Sequence, residues 1–202
     1  MSTRTLPRLG AASGAAFAVV LFAGSGHSSP GEVVREIVAV VLFLPFLSYL
    51  CSLLREAEGP DGWLTTTAFS AGLAGITIKL VTGMPVIALQ HIAAGTPLHQ
   101  AVDNMATAST NISLYPLALM LGAIAALTFR TGVLPRWLGF GAIAAAGALA
   151  VYAVYGSFNI HLNIGPALGL WVLWTLLASI TLFRRARGER TRRAQTSPAA
   201  AS

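Results

Sequence analysis

Long uncharged apolar runs alternate with short polar segments along most of the chain. Residues 112–129 and 138–155 each have about the ~20 residues needed to cross a hydrocarbon layer of roughly 30 Å, and neither run contains a charged residue. The segment between them contains Gly132 and Pro135, residue types that interrupt helices. This pattern predicts a hairpin of two membrane-spanning helices.

The same pattern, followed from end to end, predicts an all-α protein, a polytopic membrane helix bundle with six transmembrane helices. Composition agrees, because charged residues make up 10% of the chain against roughly 25% in ordinary soluble domains. The mean hydropathy of +0.70 also argues against a soluble core. The spans, which form one membrane domain over 1–183, are expected at about 9–24, 37–54, 63–80, 112–129, 138–155 and 165–183.

The first run has two interpretations. As an uncleaved helix it is short, and the four-residue spacing of Gly10 and Gly14 suits close helix packing. As a signal peptide it has a basic start and small residues at 23–25 where cleavage could occur. We favour the uncleaved helix, and we expect a second close-packing pair at Gly165 and Gly169 in the last helix.

The basic residues are distributed unevenly between the two sides of this arrangement. Positive residues accumulate on the cytoplasmic side of membrane proteins. With both termini in the cytoplasm of a plasma (inner) membrane protein, only Arg35 and Lys79 lie toward the outside. The residues that then face inward are Arg4, Arg8, Arg55, Arg130, Arg136, Arg184, Arg185, Arg187, Arg190, Arg192 and Arg193.

Residues 184–202 form a basic tail, which we predict to be disordered and cytoplasmic. Its arginines directly follow the last apolar run, where basic residues attract anionic lipid head groups of the bilayer. The formal net charge of +6 is therefore explained by topology, and we expect no binding of nucleic acid.

Lys79 is the only basic residue inside a predicted span. If the third helix starts at Trp63, Lys79 lies about 24 Å along it, near the outer interface, where its ammonium can snorkel to water. Alternatively the helix continues through Pro85, and Lys79 lies deeper and needs a partner, which would make it a functional candidate. No Asp or Glu within a predicted span is available to pair with it.

The longest outer segment, 91–111, carries the clearest candidate ligands for a metal. A short amphipathic helix is expected over 98–108, with Thr96 as its N-cap ahead of Pro97. His99 and Asp103 then share one helix face. All four histidines fall on the outer side, which suggests a site for a divalent transition metal that activates water. Its candidate ligands are His91, His99, Asp103 and His161, with His27 on the same side.

Other chemical signals are absent from the sequence. It contains no phosphate-binding loop, no dinucleotide fingerprint and no nucleophile elbow, so no organic cofactor is predicted. Cys51 is the single cysteine and lies in an apolar run, where we expect a small core residue.

Three segments carry a family resemblance, namely 42–47 (LFLPFL), 53–64 (LLREAEGPDGWL) and 131–139 (TGVLPRWLG). They resemble a group of uncharacterised multi-pass membrane proteins of high-GC Gram-positive bacteria. The resemblance implies an inner-membrane location and a domain of unknown function, and it supplies no catalytic residues.

The leading functional hypothesis is a non-enzymatic integral membrane protein with a role in assembly, envelope maintenance or sensing. Small-residue helix faces suit homo- or hetero-oligomers. The alternatives are a small transporter of an apolar or small solute, with Lys79 as its polar residue, and a metal-dependent membrane hydrolase that uses the outer histidines.

Overall fold

The computed structural model describes residues 6–23, 30–159 and 164–196, and within these ranges the chain is helical with no strand. The prediction of an all-α bundle is confirmed. The helices are α1 (Leu6–Phe22), α2 (Pro30–Glu58), α3 (Trp63–Leu89), α4 (Pro97–Thr131), α5 (Arg136–Phe158) and α6 (Gly165–Thr196).

The helices form a closed ring. Each packs against its neighbours in the chain, and α6 packs back against α1. Short connections between successive packed helices make those helices antiparallel. We call the end with the turns 59–62 and 132–135 the arginine end, and the end with the connection 90–96 the loop end. The largest fully buried side chains are Phe17, Phe43, Phe46, Leu47, Leu50, Leu54, Leu114, Met120, Leu121, Ile124, Leu127 and Leu134.

Five of the described helices are long and apolar enough to cross a membrane. The outer surface of the bundle is also apolar, with large side chains such as Met84 and Phe140 mostly exposed. Apolar surface of this extent is characteristic of lipid-facing helices. The chain therefore has the construction of an integral membrane protein, with α1 contributing a shorter apolar helix over Leu9–Phe22.

Several helices are longer than the apolar runs predicted. Helix α2 begins at Pro30, and α3 continues through Pro85 to Leu89. The expected surface helix at 98–108 and the span at 112–129 are one continuous helix, α4, so the prediction of two elements is wrong. Polar residues continue a helix readily once it has started, because each added residue gains a hydrogen bond at little cost.

The beginning of α4 confirms the predicted cap. Thr96 lies at the N-cap, its hydroxyl oxygen accepts a hydrogen bond of 3.2 Å from the backbone N–H of His99, and Pro97 follows at the first helical position. This arrangement satisfies one of the N–H groups that a helix start leaves without a partner.

Residues 184–196, predicted as a disordered tail, continue α6 to Thr196. The prediction is wrong over this stretch, because Arg, Ala, Glu and Gln are good helix formers and the preceding span supplies the nucleus. Residues 197–202 lie outside the described part of the chain.

Glycines allow α1 to pack closely against α2. A Cβ at Gly10 would lie 2.5 Å from Tyr49 Cβ, and one at Gly14 would lie 2.5 Å from Phe46 Cδ2. The predicted role of this pair is confirmed. At Gly169 in α6 a Cβ would meet nothing within 4 Å, so the expected close packing is wrong at that residue.

The turn between α2 and α3 is held by a carboxylate. Glu58 accepts hydrogen bonds from the backbone N–H groups of Leu64 (3.0 Å) and Thr65 (2.9 Å) and from the Thr65 hydroxyl (2.6 Å). Gly62, the N-cap residue of α3, has no side chain to do this. Glu58 thus caps the next helix and fixes how α3 lies against α2.

Candidate functional site

A cavity of about 270 Å³ lies between the helices in the half of the bundle toward the loop end. This volume is just below the range of ~300–1,000 Å³ that is usual for small-molecule sites. Side chains from α1, α2, α3, α4 and α6 surround it. The lining residues are Phe17, Leu21, Arg35, Glu36, Val40, Gly75, Ile76, Lys79, Ser113, Leu117, Leu168 and Trp171.

Aromatic rings hold the α1, α2 and α6 walls together. The Phe17 ring centroid lies 5.1 Å from that of Phe43 and 5.3 Å from that of Trp171. Phe43 and Trp171 are also 5.3 Å apart in an edge-to-face arrangement. Such tilted contacts are favourable for aromatic pairs, so these rings form a rigid side of the cavity.

Trp171 also contributes a polar atom to this wall. The residue is only 7% exposed, and its indole Nε1 is buried with no hydrogen-bond acceptor among the described residues. An unsatisfied buried donor costs about 1–3 kcal/mol, so it is uncommon in a folded protein. The other buried tryptophan of α6, Trp174, donates to the carbonyl of Leu138 at 2.9 Å.

The lining also includes an ion pair between α2 and α3. Lys79 Nζ lies 2.8 Å from Glu36 Oε1, and the two side chains are 22% and 38% exposed. At 1.5 Å per residue, Glu36 lies about 28 Å from Arg55 along α2, and Lys79 lies about 24 Å from Trp63 along α3. The pair therefore lies at a similar height on the two helices, toward the loop end of the bundle.

Glu36 is the functional candidate that sequence reasoning missed. It directly precedes the predicted span 37–54, so it was not counted among the residues able to pair with Lys79. Because α2 begins at Pro30, Glu36 is already in the second turn of a continuous helix and faces α3. The acidic partner of Lys79 therefore comes from just outside the predicted spans, and the continuation of α3 through Pro85 agrees with the alternative in which Lys79 lies deeper and has a partner.

Three charged side chains lie among the described residues that line the cavity. Among the described residues that line it, the charged ones are Arg35, Glu36 and Lys79, which give a formal charge of +1. Most of the remaining lining is apolar. Coulombic interactions are stronger in such surroundings than in water, which strengthens the attraction between Lys79 and Glu36.

The predicted metal ligands that the structure describes do not line this cavity. His91 follows the end of α3 at the loop end, while His99 and Asp103 lie in the first two turns of α4. Within the described ranges, no three His, Cys, Asp or Glu side chains come together in a way that could hold a metal ion. His27 and His161 lie outside those ranges, so the complete set of four ligands stays a prediction.

Two other polar features have structural roles. Cys51 is buried in the core, as predicted. At the loop end of α4, Asn111 Nδ2 donates to the carbonyl of Gly156 at 3.2 Å, and the Tyr115 hydroxyl lies 3.0 Å from the Ser157 hydroxyl. Hydrogen bonds of this kind join neighbouring membrane helices, here α4 and α5.

Comparison of the chain with protein-family models, with curated proteins and with solved structures found no match in any of the three. The resemblance to multi-pass membrane proteins of high-GC Gram-positive bacteria therefore stays a prediction.

Proposed function

We propose that the protein is a non-enzymatic membrane protein of the plasma membrane that binds a small, mainly apolar ligand in the cavity and serves as its sensor. Both termini lie in the cytoplasm, and the cavity lies in the outer half of the bilayer. The observation that carries this proposal is the combination of an apolar cavity with an ion pair in its wall. Intramembrane charged groups are costly and commonly mark ligand or ion pathways.

The packing of the other half of the bundle favours a closed binding site over a permanently open channel. Toward the arginine end the interior is filled by fully buried side chains, including Leu50 and Leu54 of α2 and Ile124 and Leu127 of α4. A ligand in the cavity thus meets a packed core rather than a continuous channel. Transport would require these side chains to separate in a second conformation.

The test is a binding assay on protein reconstituted in phosphatidylcholine nanodiscs. Three tritiated probes share one apolar body and differ in the head group: octanoate, octanamide and octylammonium. Binding is measured by scintillation proximity, and the signal from empty nanodiscs is subtracted to remove partitioning into lipid. At least one probe is expected to bind saturably.

Two neighbouring substitutions locate the bound probe. Val40 lines the cavity and is 5% exposed, whereas Val41 points outward and is 54% exposed. We expect Val40→Phe to weaken binding by about tenfold or more, equivalent to about 1.4 kcal/mol, because the ring fills the cavity. Val41→Phe should leave binding unchanged. Absence of saturable binding of all three probes, or equal loss in both variants, would overturn the proposal.

A further inference from the structure

We infer that the ligand of the cavity is a small neutral molecule with an apolar body and a carbonyl oxygen, and that this oxygen accepts a hydrogen bond from the indole N–H of Trp171. This inference rests on the proposed function and adds the chemical class of the ligand. It follows from the buried donor, the interactions of the charged groups and the apolar character of the remaining lining.

The indole N–H of Trp171 defines the polar contact of the ligand. Trp171 lines the cavity and is 7% exposed, and its Nε1 has no acceptor in the part of the chain that the structure describes. An indole N–H is a donor only, so its hydrogen bond requires an acceptor. In the next turn of the same helix, the Trp174 indole donates to the Leu138 carbonyl at 2.9 Å. The protein thus supplies an acceptor for one of these two indoles, and a ligand oxygen supplies it for the other.

The other neutral side-chain donor of the described lining is already used. The hydroxyl of Ser113, a residue that is 1% exposed, donates to the carbonyl of Thr110 at 2.7 Å. Serine hydroxyls in helices often bond to the backbone of their own helix in this way. The hydrogen of Ser113 is therefore not available to a ligand, which leaves the N–H of Trp171 as the neutral donor for a ligand oxygen.

The charged groups of the lining favour a ligand without net charge. Lys79 Nζ and Glu36 Oε1 lie 2.8 Å apart and neutralise each other, and Arg35 has an interaction of its own within the protein. A charged head group would have to compete with these existing interactions or remain without a counter-charge. Both are costly in apolar surroundings. A carbonyl oxygen avoids this cost, because it accepts a hydrogen bond and carries no net charge.

The rest of the lining suits an apolar body. Phe17, Leu21, Leu117 and Leu168 come from three different helices and contribute hydrocarbon to the same lining. With a volume of about 270 Å³, the cavity suits a small ligand rather than a whole lipid molecule. A medium-chain amide or ketone places its chain among these residues and its oxygen at Trp171.

The head-group series described above tests the neutral character of the ligand in the wild-type protein. Octanamide is expected to bind at least about tenfold more tightly than octanoate or octylammonium, because only octanamide has a carbonyl oxygen without a net charge. Equal or tighter binding of octanoate or octylammonium would overturn the neutral assignment, while the proposed binding function would stand. Absence of saturable binding of all three probes would instead remove the proposed function itself.

A matched pair of probes isolates the hydrogen bond to Trp171. Heptyl methyl ketone is compared with its methylene analogue, in which a CH₂ group replaces the oxygen, and each affinity is referred to the probe concentration in the bilayer. The wild-type protein is expected to bind the ketone about tenfold more tightly. Trp171→Phe should remove this preference, whereas Trp174→Phe should retain it, because the Trp174 indole donates to Leu138. Equal affinities of the two probes in the wild type, or the same change in both variants, would overturn the assignment.

A spectroscopic measurement tests the same contact with Trp171 in place. The four tryptophans are labelled with ¹⁵N at the indole nitrogen, and the Trp171 signal is assigned by elimination with Trp63→Phe, Trp137→Phe and Trp174→Phe. Saturating octanamide is expected to move the Trp171 indole proton downfield, because it gains an acceptor, and to leave the Trp174 signal unchanged. A Trp171 signal that does not move at saturation would overturn the assignment, even if octanamide binds.

The same chemistry, a carbonyl oxygen on an apolar body, also exists in the ester groups of phospholipids. Ether-linked phosphatidylcholine lacks these carbonyls, so nanodiscs of ester and ether lipids separate the two sources. The same Trp171 indole signal in both lipids before octanamide is added supports a free small molecule as the ligand. A signal that is already downfield in the ester lipid, together with a weaker octanamide affinity there, would identify the lipid as the occupant and overturn the assignment to a small molecule.

Discussion

At the scale of single residues, the ion pair between Lys79 and Glu36 is the most informative feature of the molecule. Ionised groups within a membrane protein are tolerated when they face the bundle interior and pair with each other. Lys79 does both, because it lines the cavity and contacts the carboxylate of the neighbouring helix. The partial exposure of both side chains limits how much stability the pair provides.

A double-mutant cycle should measure this contribution. We expect Glu36→Gln and Lys79→Gln to interact with a coupling energy of about 1 kcal/mol in the free energy of unfolding, near the low end for contacting residues. Unfolding is followed by circular dichroism during titration of mixed micelles with dodecyl sulfate. Asp61→Asn, at an exposed position of the arginine end, is the control and should have little effect. Additive single effects would show that the two charges do not interact.

At the scale of helices, the packing of α1 against α2 depends on two glycines as well as on the ring contact between Phe17 and Phe43. Gly14 lies against the Phe46 ring and Gly10 against Tyr49, so these contacts leave no room for a methyl group. In an apolar solvent, helices associate through such close contact of surfaces, since the solvent offers no hydrophobic driving force. The position of α1 matters for the site because Phe17 and Leu21 line the cavity.

The glycine contacts predict opposite effects of the same substitution at two positions. Gly14→Ala should destabilise the protein by about 1–3 kcal/mol, because the added Cβ overlaps a rigid ring. Gly122→Ala in α4, where a Cβ meets nothing within 4 Å, should be neutral or stabilise by up to about 1 kcal/mol through helix propensity. Dodecyl sulfate titration measures both. Equal effects at the two positions would mean that α1 does not pack as described.

At the scale of the whole molecule, the number and class of the helices could be predicted from the sequence, because a bilayer demands long uncharged runs of a fixed length. The ends of the helices could not be predicted in this way, because polar residues beyond the apolar layer continue the same helix, as in α4 from Pro97. The cavity could not be predicted from the sequence either. Its ion pair depends on the register between α2 and α3. The hydrogen bonds of Glu58 at the start of α3 help to fix this register, which the pattern of apolar runs does not reveal.

The orientation of the bundle in the membrane gives the final prediction. Arg55, Arg130 and Arg136 flank the turns of the arginine end, and the positive-inside bias predicts that this end faces the cytoplasm. In a Cys51→Ala background, Ala94→Cys at the loop end should react with a membrane-impermeant maleimide in intact cells. Asp61→Cys at the arginine end should react only after the membrane is permeabilised. Its reaction after permeabilisation also shows that this position is accessible to the reagent. The reverse pattern would place the cavity in the inner half of the bilayer and its ligand in the cytoplasm.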